Sequence, residues 1–113
     1  MRKFIDSHVH FWNPSQLRYD WLANLPDLNK TFLPDDLPQT LSNWQMEQLV
    51  FVQADCAPEQ SLDEARWVSE LGDERIAGIV AFAALERGAA VRPQLEQLAA
   101  IPRVKGVRRL IQS

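Results

Sequence analysis

Runs of β-forming residues alternate with segments of helical period along this chain, and that alternation narrows the fold more than any other feature of the sequence. Lys3 to Phe11 reads as a first strand, with Phe4, Ile5, Val9 and Phe11 as its β-formers. Asn13-Pro14-Ser15 breaks it. The stretch from there to about Phe32 is rich in Trp, Tyr, Leu and Pro and has no clear period. It reads as a long loop, kept ordered by Tyr19, Trp21 and Phe32. Pro34 to Trp44 is a short helix candidate, because Leu37, Leu41 and Trp44 fall at i, i+4 and i+7. Pro38 is tolerable there only near the first turn.

Leu49 to Ala54 is an apolar run of the kind buried in parallel sheets. A second helix follows, opened by a capping box at Ser61-Leu62-Asp63-Glu64, or one turn earlier at Pro58, and stopped at Gly72. Arg75 to Leu85 reads as a third strand, with Gly78 and Ala81 marking close packing. Gly88 to Ile101 is a third helix, with Val91, Leu95 and Leu98 on one face and Pro102 beyond its end. Val104 to Ile111 is a fourth strand. The order β-α-β-α-β-α-β predicts an α/β fold of parallel strands joined by right-handed crossovers.

A length of 113 residues allows one domain with one modest core. The net charge of -3 argues against a nucleic-acid partner. The one basic cluster, Arg103, Lys105, Arg108 and Arg109, is interleaved with Val104, Val107 and Leu110 and reads as a strand. The single cysteine, Cys56, cannot form an internal disulfide. It reads as an inert thiol rather than a nucleophile, since the only candidate bases of histidine type are His8 and His10. No apolar run follows the basic Arg2-Lys3, so no signal peptide is expected. Nor is a membrane partner, because no stretch approaches the roughly 20 apolar residues of a span. A cytoplasmic protein is the expectation.

Chemistry concentrates in Ile5-Asp6-Ser7-His8-Val9-His10-Phe11-Trp12. Side chains in a strand alternate faces, so Asp6, His8 and His10 are expected to point one way and Ile5, Val9 and Phe11 the other. Two residues of rise separate the imidazoles by about 6.5 Å at the backbone. Their ring nitrogens can then converge on one ion at about 2.0–2.1 Å each. The plainer alternative is a solvated strand face.

This segment resembles the start of the amidohydrolase-related (amidohydrolase 2) hydrolases, in the branch of sugar lactonases such as L-fuconolactonase and L-rhamnonolactonase. Tyr19-Asp20-Trp21-Leu22, Phe32 to Leu37, Val50 to Ala54 and Lys105 to Gln112 continue the resemblance in order. It implies the N-terminal half of a TIM-type (β/α)8 barrel, with residues 1–113 an incomplete barrel domain. It also implies a divalent metal, zinc first, held by His8 and His10, and hydrolysis of a sugar lactone. Arg108, Trp12 and Gln53 are the candidate substrate-binding residues. The plainer roles are a surface ion pair for Arg108 and packing for Trp12. Asp55 shares a strand face with Gln53 and is expected to cap a loop. The resemblance assigns no catalytic residue beyond the metal pair.

With about half the barrel and no third histidine, the chain is expected to bind metal weakly and to be inactive alone. Two alternatives stand beside this reading. One is a related metal-dependent decarboxylase. The other is a noncatalytic half barrel that pairs its open sheet edges with a second copy or a separate C-terminal half.

Overall fold

Four strands lie side by side in chain order, all parallel, in the computed structural model of the protein, which describes residues 2–38 and 40–111. They are β1 (Arg2–Val9), β3 (Trp44–Val52), β4 (Ile76–Phe82) and β5 (Val104–Arg108). A short β2 (Thr40–Leu41) pairs antiparallel with the start of β3. Helices α1 (Ser61–Glu70) and α2 (Arg92–Ala99) connect β3 to β4 and β4 to β5. This is a mixed α/β architecture with a parallel sheet, consistent with part of a TIM-type fold. Gln112, at the end of the last matched segment, lies outside the described residues.

The helix expected over Pro34 to Trp44 does not form. A 3-10 turn covers Pro34–Asp36, and Leu37 is extended at φ -80, ψ 140. Pro38 accounts for this: its ring disfavours the helical region for the residue before it, and it has no N–H to donate. Thr40 and Leu41 instead fold back on Gln45 and Trp44, with Ser42 at φ 55 in the turn. The long segment from Phe11 to Leu33 is ordered as expected. A bridge between Trp12 and Phe32 closes it, and Leu17, Tyr19 and Leu22 are buried beneath it.

β1 departs from simple alternation. Its pairing with β3 slips between Phe4 and Ile5, and again between Asp6 and Val9, where three steps on β1 match two on β3. The second slip reverses which face each residue takes. Phe4 therefore packs on the same core as Val9 and Phe11, although an unbroken strand would put them on opposite faces. Ile5, expected beside Val9 and Phe11, is instead 57% exposed.

The main core lies between the sheet and the helices and includes Leu49, Phe51, Val68, Ile79 and Leu98. Phe11 is 1% exposed and meets Phe51 and Trp67, with ring centroids at 4.7 and 6.2 Å. Gly78 permits β5 to approach, since a Cβ there would meet Lys105 Cγ at 3.1 Å. No helix among the described residues is long and apolar enough to cross a membrane.

Phe11→Ala is expected to cost about 3–5 kcal/mol, and Ile5→Thr less than about 0.5 kcal/mol, in urea unfolding followed by circular dichroism.

Candidate functional site

The site is built on the C-terminal end of β3. Three consecutive carbonyls there each receive a donor from a different element. His10 Nδ1 donates to the Val52 carbonyl at 2.8 Å. Arg108 Nη2, at the end of β5, donates to the Gln53 carbonyl at 3.1 Å. Trp21 Nε1, from the long loop, donates to the Ala54 carbonyl at 2.8 Å. A cleft of about 330 Å³ opens over these contacts, lined by His10, Trp12, Trp21, Gln53, Asp55 and Arg108.

The Val52 contact fixes the tautomer of His10. A carbonyl only accepts, so the proton must sit on Nδ1 and the lone pair on Nε2. That Nε2 lies 3.1 Å from Nε2 of His8, with the rings nearly perpendicular at 78°. Two nitrogens so placed, each about 2.0–2.1 Å from one ion, would subtend about 100° at it, between octahedral and tetrahedral coordination. An Nδ1–H held by a backbone carbonyl is the usual outer support of a metal-binding imidazole. The pair therefore fits a small cation. Among the described residues, no group of three or more His, Cys, Asp or Glu side chains converges as a metal site.

Burial lowers the pKa of His10. The Val52 carbonyl opposes this, while the neighbouring His8 and Arg108 charges reinforce it. A neutral His10 keeps a lone pair on Nε2, which can accept from Nε2–H of His8 at 3.1 Å or bind a cation in its place. Of Asp6, His8 and His10, expected on one face, only His10 lines the cleft; His8 is exposed beside it and reaches it through the contact with His10. Asp6 Oδ1 accepts the His8 N–H at 3.1 Å across the irregular end of β1.

Gln53 is 1% exposed, and its Oε1 accepts the Asp55 N–H at 2.7 Å. Its Nε2 is buried without a partner, as is Nε of Arg108. Among the described residues both donors lack a partner, and both atoms are buried, so a ligand in the cleft would reach them only if the side chains turned. Among the described residues Arg108 makes no ion pair, whereas Arg109 Nε lies 2.9 Å from Glu86. Trp12 both packs and lines the cleft: its indole donates to the Leu28 carbonyl, and its ring meets Trp21 edge to face at 5.2 Å. Asp55 lines the cleft from a left-handed backbone, φ 60. Cys56 is buried, and burial raises its pKa, as expected of an inert thiol.

Two residues of the site were not singled out by the reading of the sequence. Trp21 was read as ordering the long loop and as part of the resemblance, not as a residue of the cleft. Glu64, expected to close a capping box with Ser61, instead reaches back to accept the Ala54 N–H at 3.2 Å. Its signal was the helical stripe Ser61, Glu64, Ala65 and Val68, all buried, in which it is the one charged member.

A scan against protein-family models finds no match, and a search of the curated proteins finds none. Among solved structures, the chain is similar to an amidohydrolase 2 from Bifidobacterium longum subsp. infantis. The identity is 28%, the TM-score 0.66, and the match covers 75% of this chain and 34% of that one. The likeness supports a relation to that hydrolase family. The match spans about a third of that protein's length.

Burial pushes the Glu64 carboxyl up to about 7 from an ordinary value of 4.5, opposed by the Ala54 N–H and reinforced by Asp55. Between those values the folded chain holds a proton that the unfolded chain has lost, so this group's contribution to stability falls as pH rises. Relative to Glu64→Gln, the protein is expected to lose up to ~3 kcal/mol between about pH 4.5 and about pH 7, measured by urea unfolding at each pH.

Proposed function

We propose that the cleft is part of the active site of a metal-dependent hydrolase that opens sugar lactones. The observation that carries this is the 3.1 Å approach of the His8 and His10 Nε2 atoms, with the His10 tautomer set by Val52. His8 and His10 would hold a divalent cation, with zinc the first choice for paired imidazoles. Such a cation supplies a Lewis acid for the lactone carbonyl and lowers the pKa of a water.

The chain's own residues account for substrate binding. The Trp12 and Trp21 rings, set nearly perpendicular at 75°, form an apolar corner of the cleft, and the face of either ring can receive a sugar ring. Gln53 and Arg108 line the cleft and are the candidates to bind ring hydroxyls or a carboxylate. The similarity to an amidohydrolase 2 supports the hydrolase class; the lactone rests on the segments Tyr19–Leu22, Phe32–Leu37 and Lys105–Gln112, which resemble the sugar-lactonase branch.

Two imidazoles are one ligand short of the three usual in catalytic zinc sites. Isothermal titration with zinc is expected to show one site per chain with a Kd of about 10 μM or weaker, lost in His8→Ala and in His10→Ala, and no lactone turnover by this chain alone. Unchanged zinc affinity in both variants would contradict the assignment.

A second reading has its own observation. β1 pairs only with β3 and β5 only with β4, which leaves an open edge on each among the described residues. Open edges of a parallel sheet favour association with a second copy. Light scattering at about 100 μM is expected to give a mass above that of one chain, and a clean monomer would count against pairing.

A further inference from the structure

Glu64 lies on the buried stripe of α1 and is 1% exposed. The proposed metal and substrate roles do not use it. A carboxyl in such a place is costly unless it satisfies a group that an apolar side chain cannot. The group in question is the Ala54 N–H. The ladder between β3 and β4 ends with Gln53 N–H donating to the Val80 carbonyl at 2.8 Å. Ala54 follows, buried, and its N–H finds Glu64 Oε2 at 3.2 Å.

That N–H belongs to the same planar peptide as the Gln53 carbonyl, which Arg108 Nη2 reaches at 3.1 Å. One rigid unit is thus held by a carboxyl on one side and a guanidinium on the other. The peptides on either side present their carbonyls to His10 and Trp21.

We propose that Glu64 is a positioning residue: it sets the plane of the Gln53–Ala54 peptide, and through that plane the Arg108 guanidinium and the indole of Trp21 in the cleft. The inference stands on the contacts of β3 and does not depend on the metal or lactone reading. The charged and titratable groups around Glu64 are Asp55 and Cys56 from the segment after β3, Tyr19 from the long loop and Arg108 from β5. Asp55 favours the protonated form of Glu64 and Arg108 the ionised one. The peptide that links Glu64 to Arg108 therefore feels the change in charge directly.

Amide and indole exchange, read by NMR on the full chain, tests this. In Glu64→Met, which keeps the bulk and removes the acceptor, the Ala54 amide and Trp21 indole are expected to exchange ~10-fold faster or more, while Leu49 and Ile79 in the sheet keep their protection. Glu64→Gln, which keeps an acceptor, is expected to restore both sites to within ~3-fold of the wild type. A role in packing alone would move all four sites together or none. Unchanged exchange at Ala54 and Trp21 in a folded Glu64→Met protein would overturn the proposal, as would a Gln variant as perturbed as Met. Should Glu64→Met not fold, the Ala54 amide shift decides. It is expected to titrate between about pH 5 and about pH 8 in the wild type and to stay flat in Glu64→Gln. Equal titration in both would overturn the proposal.

Discussion

Three carbonyls at the end of β3 hold the cleft together. A strand leaving a parallel sheet has backbone groups with no further ladder partners, and buried groups of that kind must be satisfied. Here the carbonyls of Val52, Gln53 and Ala54 take His10, Arg108 and Trp21. These donors come from just beyond β1, from β5 and from the long loop, segments far apart from β3 in sequence. The need to satisfy one strand end thus gathers the residues that face the cleft.

The second constraint is the slip in β1. Phe11 and Val9 reach the core, and His10 reaches the cleft, because the pairing with β3 gains a residue between Asp6 and Val9. A regular strand anchored by Phe4 would put both histidines under the helices. The irregularity is therefore what allows a well-packed strand to present two imidazoles at its end. Its mark on the sequence is slight, because neither glycine nor proline is needed to make it.

This explains which parts of the structure could be read in advance. The parallel strands, the buried run before Gln53 and the two helices after it were legible because their apolar periods are long and tertiary packing agrees with them. That the His8 and His10 rings lie close was expected from their spacing on one strand, beside the plainer reading of a solvated face. The helix over Pro34 to Trp44 was misread because three apolar residues at helical spacing outweighed Pro38, whose steric effect on Leu37 decided the matter. Ile5 was misplaced because alternation was assumed to run unbroken. Glu64 was taken for a cap because the capping motif is local, whereas its partner, Ala54, is supplied by the end of β3. The unused donors of Gln53 and Arg108 depend on three-dimensional placement and leave no pattern in sequence.

An imidazole locked in one tautomer before any ligand arrives is preorganised for binding. The site depends on that lock: the Val52 carbonyl accepts from Nδ1–H of His10 and leaves on Nε2 a lone pair that faces Nε2 of His8. Long-range proton–nitrogen NMR of the two imidazoles at about pH 8, where His10 is neutral, reads this directly. The account predicts the His10 proton on Nδ1 alone. A proton on Nε2, or the rapid mixture of tautomers typical of a free imidazole, would contradict it.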